Sequence, residues 1–271
     1  MDFELQQETF AAEITGLNFA SGSEVRLNGA KNITQAEGKE LKKLLHKYGV
    51  LFIRNQHDLK PEDLEHIARQ FGDLRNIDAK PSVTSVSTDN PYIRAQHFDE
   101  TPVEFPAGWF WHSDTTFLHS RPAVTVLWNH TVPKIGGDTL FADQRMAYSE
   151  LSKGMRKYIQ NLSCMHEIPY WFKNGTGEDQ VERAVVGVHP ETGESYLNVS
   201  EIFTTRIVGL PFEEAKYLLT FLQKHAVNDR WVHRHKWTSG CIAIWDNSSM
   251  QHKVIHNYWP AIRSGFRLET G

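Results

Sequence analysis

The stretch CIAIWDNSSMQH, residues 241–252, joins a short apolar run to a polar turn that ends in a histidine. Apolar runs of this length, bounded by turn residues, are typical of strands buried on both faces. Working outward from it, AVTVLW (123–128), TLFA (139–142) and GFRLET (265–270) predict further strands. The second half of the chain is therefore predicted to be rich in β-structure.

Helix patterns are concentrated in the first half of the chain. The segment TQAE (34–37) matches a capping box and predicts a helix that runs to about Lys47 and ends at Gly49. Pro61 predicts the start of a second helix that ends near Gly72. Because helices come early and strands late, without alternation, the order predicts a mainly β fold with flanking helices. We expect a double-stranded β-helix, or jelly roll, rather than a doubly wound α/β fold.

The remaining segments are less regular. The patterns predict strands at 12–19, 25–28, 50–53, 195–200 and 232–237, helices at 145–161 and from Pro211 to about Ala226, and a loop-rich stretch at 73–108. Long loops in a compact domain are often functional, so 73–108 and 165–185 are the candidate substrate loops.

Length and charge limit the possible function classes. A chain of 271 residues is expected to form a single domain over residues 1–271. The formal net charge of -4 argues against nucleic acid as a partner. The acidic start lacks a secretory signal, and no stretch predicts a membrane span, so a cytoplasmic location is expected. Cys164 and Cys241 lack metal-site spacing and are expected to be free thiols in a reducing compartment.

The segment WHSD (111–114) carries the first candidate metal ligands. In extended backbone, residues i and i+2 point to the same side, so His112 and Asp114 can aim at one point. Two histidines and one carboxylate on one face form the facial triad of non-haem iron oxygenases, which leaves open metal positions. An HxD pair alone is weak evidence, because solvated strand ends contain it as well.

His252 is the candidate third ligand, since the loop after a buried strand can return its imidazole over the sheet. The HxH pair His233 and His235 is a rival, but we expect an exposed strand there beside Arg234 and Lys236. Four other histidines lack partners at a telling spacing and are expected to be structural: His130, His166, His189 and His256.

Two arginines follow His252, and their i, i+4 spacing places Arg263 and Arg267 on one side of a strand. Arginine binds carboxylates through paired hydrogen bonds. A pocket with a metal at one end and a guanidinium at the other suits a dicarboxylate keto acid as cosubstrate, with its 2-oxo acid end on the metal and its distal carboxylate on arginine. Thr139, after a Gly-Gly-Asp turn, offers a further hydroxyl donor. Without the metal ligands, an exposed position near the C-terminus would be the simpler reading of both arginines.

Several segments together resemble the taurine/2,4-dichlorophenoxyacetate dioxygenase family of iron(II)/2-oxoglutarate enzymes. The matching segments are LFIRNQ (51–56), FGDL (71–74), WHSDTTF (111–117), RPAVTVLW (121–128), GGDTLFAD (136–143), IFTTRIVGL (202–210), AIWDNSSMQH (243–252) and RSGFR (263–267). They cover nearly the whole chain in one collinear order.

The resemblance implies a jelly roll and assigns roles to particular residues. It implies His112, Asp114 and His252 as Fe(II) ligands and, at the distal carboxylate of 2-oxoglutarate, Arg263 and Thr139. Arg267 would lie nearby, touching the cosubstrate or an anionic group of the substrate. The resemblance also implies O2 as a substrate and a homo-oligomer, either a dimer or a tetramer.

The expected substrate is a small, anionic organic molecule, such as a sulfonate, sulfate ester, aryloxy acid or amino-acid derivative. Taurine itself is not expected, because taurine-specific members have an asparagine where this chain has Gly108 and a histidine in the loop that here reads NIDAK (76–80). Asp114 argues against halogenation, since related halogenases have a small residue there. Candidate lining residues are Phe203, for which a position in the core is the alternative, and Tyr92, Arg94, His97 and Trp171, for which ordinary loop packing is the alternative.

Two rival functions are compatible with parts of the pattern. One is a jelly-roll binding protein without catalysis, which would usually have lost a triad member or Arg263. The other is a hydrolase with a zinc-bound water on the same ligands, which would leave the two arginines unexplained.

Overall fold

The computed structural model describes residues 4–7, 10–17, 19, 33–76, 85–87, 89–98, 107–172 and 180–271. Its strands are Glu4–Gln7 (β1), Ala11–Thr15 (β2), Val50–Ile53 (β3), Ser85–Ser87 (β4), Arg94–Phe98 (β5), Val124–Thr131 (β6), Thr139–Asp143 (β7), Ser163–Glu167 (β8), Gln180–Ala184 (β9), Val186–Val188 (β10), Ser195–Leu197 (β11), Thr204–Ile207 (β12), Val232–His235 (β13), Cys241–Asp246 (β14), Met250–Val254 (β15) and Arg263–Thr270 (β16). Its helices are Gln35–Tyr48 (α1), Asp63–Ala68 (α2), Gln144–Ser149 (α3), Lys153–Ile159 (α4) and Phe212–Ala226 (α5).

Two sheets enclose the region where the candidate site lies. The main sheet has eight strands in the order β1-β2-β3-β14-β6-β16-β5-β4, and a smaller sheet has the order β13-β7-β15. Phe141 of β7 packs edge-on against Phe52 of β3 and Trp245 of β14, with ring centroids 5.7 Å apart in both pairs. The two sheets therefore face each other across an apolar core, in agreement with the predicted jelly roll.

Strand alternation gives the main sheet two distinct faces. Ile244 and Leu268 belong to the apolar cluster that α1 and α2 share with the outer face of the sheet. Ala243 and Trp245 face the smaller sheet instead. On β16 the same alternation places Arg263, Arg267 and Glu269 on the inner face. The sheet thus separates an apolar outer core from an inner face that carries the charged residues.

The first helix begins and ends as its sequence predicts. The Thr34 hydroxyl accepts a hydrogen bond from the Glu37 backbone N–H at 3.3 Å, and the Glu37 carboxylate accepts one from the Thr34 N–H at 2.8 Å. Gly49 then adopts φ 74°, a conformation that favours glycine. Leu41 and Leu45 are fully buried against the sheet, and each such side chain stabilises the fold by about 2 kcal/mol.

Several predicted boundaries differ from the observed ones. The predicted helix 145–161 is wrong as one element, because the Ser152 hydroxyl caps a new helix at the Met155 N–H and separates α3 from α4. The predicted helix from Pro61 to near Gly72 is regular only as α2. Strand β2 ends at Thr15, strand β11 at Leu197 and strand β13 at His235, and the predicted strand 25–28 lies outside the described residues.

A second apolar cluster lies between the helices α3, α4 and α5 and the two remaining small sheets. Ile159, Leu197 and Leu222 are at its centre. The other sheets are β12-β8-β9 and β10-β11. Within the described part of the chain, no helix is both long and apolar enough to cross a membrane.

Candidate metal and cosubstrate site

The segment that carries His112 pairs directly with β15. The backbone N–H of His112 donates to the His252 carbonyl at 3.2 Å, and the reverse hydrogen bond measures 2.8 Å. Asp114 Oδ1 lies 3.7 Å from His112 Nε2 and 3.6 Å from His252 Nε2. All three side chains are buried, and their candidate ligand atoms lie within 4.8 Å of one another. The structure therefore brings together the three residues that the sequence singles out.

The protonation states of this metal end (His112, Asp114 and His252) suit a cation. Burial lowers the pKa of His112 and of His252, so both imidazoles are neutral near pH 7. The His112 Nδ1–H donates to the Phe110 carbonyl at 2.8 Å, which leaves the lone pair of Nε2 directed at Asp114. Although burial opposes ionisation of Asp114, the Arg267 guanidinium keeps its pKa well below the usual range. Lone pairs of imidazole and carboxylate groups that converge in this way repel one another unless a metal ion lies between them.

Asp114 offers only one oxygen to a metal. Its Oδ2 accepts hydrogen bonds from Arg267 Nη2 at 2.5 Å and from the Thr125 hydroxyl at 3.0 Å. Arg267 Nη2 also pairs with Glu269 at 2.9 Å, so the guanidinium lies between two buried carboxylates. Oδ1 is left for a metal, and monodentate binding keeps other metal positions open.

Asn247 fixes the backbone around Asp114. Its Oδ1 accepts a hydrogen bond from the Asp114 N–H at 2.6 Å, while its Nδ2 donates to the carbonyls of Asp114 at 3.1 Å and Pro122 at 3.0 Å. Its side chain is fully buried. Thr115, which follows Asp114 in the chain, has a backbone φ of 46°, and this conformation is unfavourable for a β-branched residue. Asn247 thus holds a strained loop in place, a role that no local motif in the sequence predicts.

Arg263, Thr139 and Trp237 lie together in the same interior and form the candidate cosubstrate end. Arg263 is 2% exposed, donates to the Gly137 carbonyl at 3.0 Å and lies 4.9 Å from the centre of the Trp237 ring. No carboxylate of the described residues forms an ion pair with it, and burial lowers its pKa to about 10. A buried cation without a carboxylate is costly, which suits a pocket that receives an anionic group.

The register of the smaller sheet relates the two ends. Thr139 pairs with Val254, and Phe141 pairs with His252. Two residues along a strand span about 7 Å, so the Thr139 hydroxyl lies about that far along the barrel from the metal end. The carbon chain of 2-oxoglutarate can bridge such a spacing.

The predicted substrate-lining residues have different outcomes. Phe203 meets the His112 ring edge-on at 5.9 Å, which places it beside the metal end. For His97 the structure favours the alternative of ordinary packing, because its Nδ1 lies 2.6 Å from Ser264 Oγ, on the outer face of β16. Arg94 instead pairs in register with Arg267, so it shares the inner face. Trp171 is half exposed and packs on Tyr170 at 4.9 Å.

Three of the other histidines that the sequence singles out make structural contacts. The expectation that His233 and His235 lie on an exposed strand is wrong for His235, which is buried and stacked on Phe52 at 3.7 Å. His166 lies 2.9 Å from the Thr116 hydroxyl, as expected of a structural histidine. His189 likewise pairs with Asp246 at 3.0 Å.

Comparison with known proteins identifies the family. The family model described as "Taurine catabolism dioxygenase TauD, TfdA family" matches residues 8–268. The chain belongs to this family. Members of the TauD/TfdA family are 2-oxoglutarate-dependent non-haem iron dioxygenases, so the predicted enzyme class is confirmed.

Relatives of this TauD/TfdA protein differ in their substrates. An alkylsulfatase of Acinetobacter baylyi is 28% identical over 231 residues, which cover 79% of this chain and 70% of the relative. An alpha-ketoglutarate-dependent 2,4-dichlorophenoxyacetate dioxygenase of Cupriavidus pinatubonensis is 28% identical over 259 residues, 87% of this chain and 88% of the relative. The crystal structure of a taurine dioxygenase from Burkholderia xenovorans superposes with a TM-score of 0.83 at 25% identity, covering 100% of this chain and 89% of that one. The last comparison confirms the predicted jelly roll.

Proposed function

We propose that His112, Asp114 and His252 hold Fe(II), and that Arg263 and Thr139 bind the distal carboxylate of 2-oxoglutarate. The observation that carries this proposal is a buried Arg263 with which no carboxylate of the described residues pairs, in the same barrel as a converging His-Asp-His set. One end of the barrel suits a divalent cation and the other suits an anion, as a chelating keto acid with a distal carboxylate requires.

The bound iron would supply oxygen activation, coupled to conversion of 2-oxoglutarate to succinate and CO2. The chain's own residues bind and orient the reactants. Arg267 and Thr125 keep Asp114 ionised and monodentate, which preserves open positions for the keto acid and O2. The apolar interior around Phe141 and Trp245 excludes water from the site.

We propose a small, anionic organic substrate, oxidised next to the metal end. Arg94 is the register partner of Arg267 on the inner face and adds a second guanidinium to a wall where Asp114 and Glu269 already pair with Arg267. The names of the relatives, an alkylsulfatase and a 2,4-dichlorophenoxyacetate dioxygenase, support the same class. Taurine itself stays outside the proposal, because Gly108 offers no side chain where taurine-specific members have an asparagine. Nothing in the relatives favours a zinc hydrolase or a binding protein without catalysis.

Anaerobic titration with Fe(II) and 2-oxoglutarate tests the proposal. We expect a weak visible charge-transfer band that requires both additions and is absent in His112→Ala. His66→Ala, on the exposed face of α2, is the matched control and should retain the band. A folded, iron-loaded wild-type protein without this band would contradict the assignment. Succinate release then allows a screen of sulfonates, sulfate esters, aryloxy acids and amino acids.

We further propose that residues 1–271 act as one domain, in the cytoplasm, as a homodimer or homotetramer. Strands from near both ends of the chain, β2 and β16, belong to one sheet, which supports a single domain. Both cysteines are buried free thiols, in agreement with a reducing compartment. Light scattering on the purified protein would measure the oligomeric state, and a monomer would contradict that part of the proposal.

A further inference from the structure

Trp237 contacts both residues of the cosubstrate end. Its indole N–H donates to the Thr139 hydroxyl oxygen at 2.9 Å, and the face of its ring lies 4.9 Å from the Arg263 guanidinium carbon. The side chain is buried in the apolar cluster between the two sheets. It therefore has a defined position relative to both proposed ligands of the distal carboxylate.

The hydrogen bond from Trp237 orients the Thr139 hydroxyl. A hydroxyl group has one hydrogen to donate and two lone pairs to accept, whereas an indole N–H only donates. Because Trp237 occupies a lone pair of Thr139, the hydroxyl hydrogen must point elsewhere. A carboxylate accepts hydrogen bonds and donates none, so this orientation prepares Thr139 for a carboxylate in the pocket.

The ring of Trp237 also supports Arg263. Burial disfavours the charge of this guanidinium and lowers its pKa to about 10, although the Asp138 carboxylate acts in the opposite direction, and no described carboxylate forms an ion pair with it. An aromatic face attracts a desolvated cation, and together with the Gly137 carbonyl it limits where the guanidinium plane can lie. Both donors to the distal carboxylate are thus positioned by one side chain.

We propose that Trp237 is a positioning residue that confers selectivity for a keto acid with a distal carboxylate. The proposal rests on the proposed function, in which Arg263 and Thr139 bind that group. Trp237 orients the Thr139 hydroxyl hydrogen and holds Arg263 facing the pocket. It acts on the distal carboxylate only and takes no part in chelation at the metal end.

Two keto acids and one conservative variant test this role. Trp237→Phe keeps an aromatic ring beneath Arg263 but removes the N–H. Anaerobic titrations of the iron-loaded protein, read by the charge-transfer band, would compare 2-oxoglutarate with 2-oxopentanoate, which has the same chain length but no distal carboxylate. We expect Trp237→Phe to weaken 2-oxoglutarate binding about tenfold and to leave 2-oxopentanoate binding within about twofold.

Thr139→Val and the double variant complete a cycle. If Trp237 acts through Thr139, the double variant should bind 2-oxoglutarate about as well as Thr139→Val alone. Trp231→Phe is the matched control, because Trp231 is equally buried and its N–H donates to the His225 carbonyl at 3.1 Å, in the other apolar cluster. It should leave the affinity for both keto acids unchanged.

The outcomes separate this inference from the function on which it rests. Equal weakening of both keto acids, or unchanged 2-oxoglutarate binding in Trp237→Phe, would overturn the role of Trp237. If the role of Trp237 were overturned but Thr139→Val lost the preference for 2-oxoglutarate over 2-oxopentanoate, the proposed carboxylate site would remain supported. A wild-type protein that binds both keto acids equally well would overturn the carboxylate site and the role of Trp237 together.

Discussion

At the metal end, the protein neutralises its own buried charge: Arg267 lies between Asp114 and Glu269 at 2.5 and 2.9 Å. At the cosubstrate end, Arg263 is equally buried but no described carboxylate pairs with it. The first arrangement holds a ligand oxygen in place before any metal arrives. The second leaves a cation to be compensated by the incoming cosubstrate. We infer that the metal end keeps the same side-chain geometry with or without a metal, whereas the cosubstrate end binds and releases an anion in each turnover.

The largest expected effect is at Asp114. Asp114→Ala removes a metal ligand and leaves buried Arg267 with one carboxylate fewer, so we expect Fe(II) affinity to fall more than about a hundredfold. The free energy of unfolding of the metal-free protein should fall by about 3 kcal/mol. Metal titration and urea denaturation measure the two effects.

Asp143→Ala is the matched control, because Asp143 is a buried carboxylate paired with Arg145 at 2.7 Å, away from the metal end. It should lower stability without changing Fe(II) affinity. Equal loss of Fe(II) affinity in both variants would show that the Asp114 effect is unspecific.

A smaller effect on the same end is expected for Asn247. Asn247→Ala removes three hydrogen bonds that hold the Asp114 loop, while all three metal ligands remain. We expect Fe(II) affinity to fall about tenfold to a hundredfold, as for outer residues that orient metal ligands. Cobalt(II) spectra would report the altered geometry. An unchanged affinity and spectrum would show that the loop keeps its shape without the amide.

At the cosubstrate end, removing the buried charge should not destabilise the metal-free protein as it does at the metal end. Arg263→Met replaces a buried cation by an apolar side chain of similar length, so the metal-free protein should stay within about 1 kcal/mol of wild-type stability or become more stable. The dissociation constant of 2-oxoglutarate should rise about a hundredfold. Calorimetry and charge-transfer titration measure both quantities. A loss of stability as large as that of Asp114→Ala would contradict the contrast between the two ends.

The smallest expected effect concerns pH. Lowering the pH should change the stability that depends on the metal end but should leave the selectivity between keto acids at the cosubstrate end unchanged. Burial lowers the pKa of His112 and His252, so the unfolded chain takes up protons below about pH 6.5 that the folded chain does not. Stability of the metal-free protein is therefore complete above that pH and falls as the pH decreases. Arg263, with its pKa of about 10, stays protonated throughout this range. The ratio of 2-oxoglutarate to 2-oxopentanoate affinity should be equal at about pH 7.5 and about pH 6. A ratio that changes severalfold would implicate a titrating group at the cosubstrate end.

The convergence of the three proposed metal ligands could be predicted because local rules place them. His112 and Asp114 share a side of an extended segment, and His252 follows a recognisable buried strand. Asn247 and Trp237 could not be predicted in the same way. Their roles depend on contacts between segments far apart in the chain, Asn247 with the Asp114 loop and Trp237 with Thr139.

The errors have related physical causes. The HRH segment alternates like a half-exposed strand, but Phe52 of the main sheet covers His235, so tertiary packing reverses the expected exposure. For His97 the sequence left pocket lining and ordinary packing open, and the register of β5 with β16 decides for packing because it places Arg94 and Gln96, not His97, on the inner face. Register is set by pairing between distant strands, which periodicity within one segment does not report.

A crystal structure of the protein grown anaerobically with Mn(II) and 2-oxoglutarate would test the central claim most directly. We expect anomalous density for the metal between His112 Nε2, His252 Nε2 and Asp114 Oδ1, with the distal carboxylate on Arg263 and the Thr139 hydroxyl. Density for the keto acid with its distal carboxylate on Arg267 or Arg94, or metal bound outside the His-Asp-His set, would contradict the division of the barrel into these two ends.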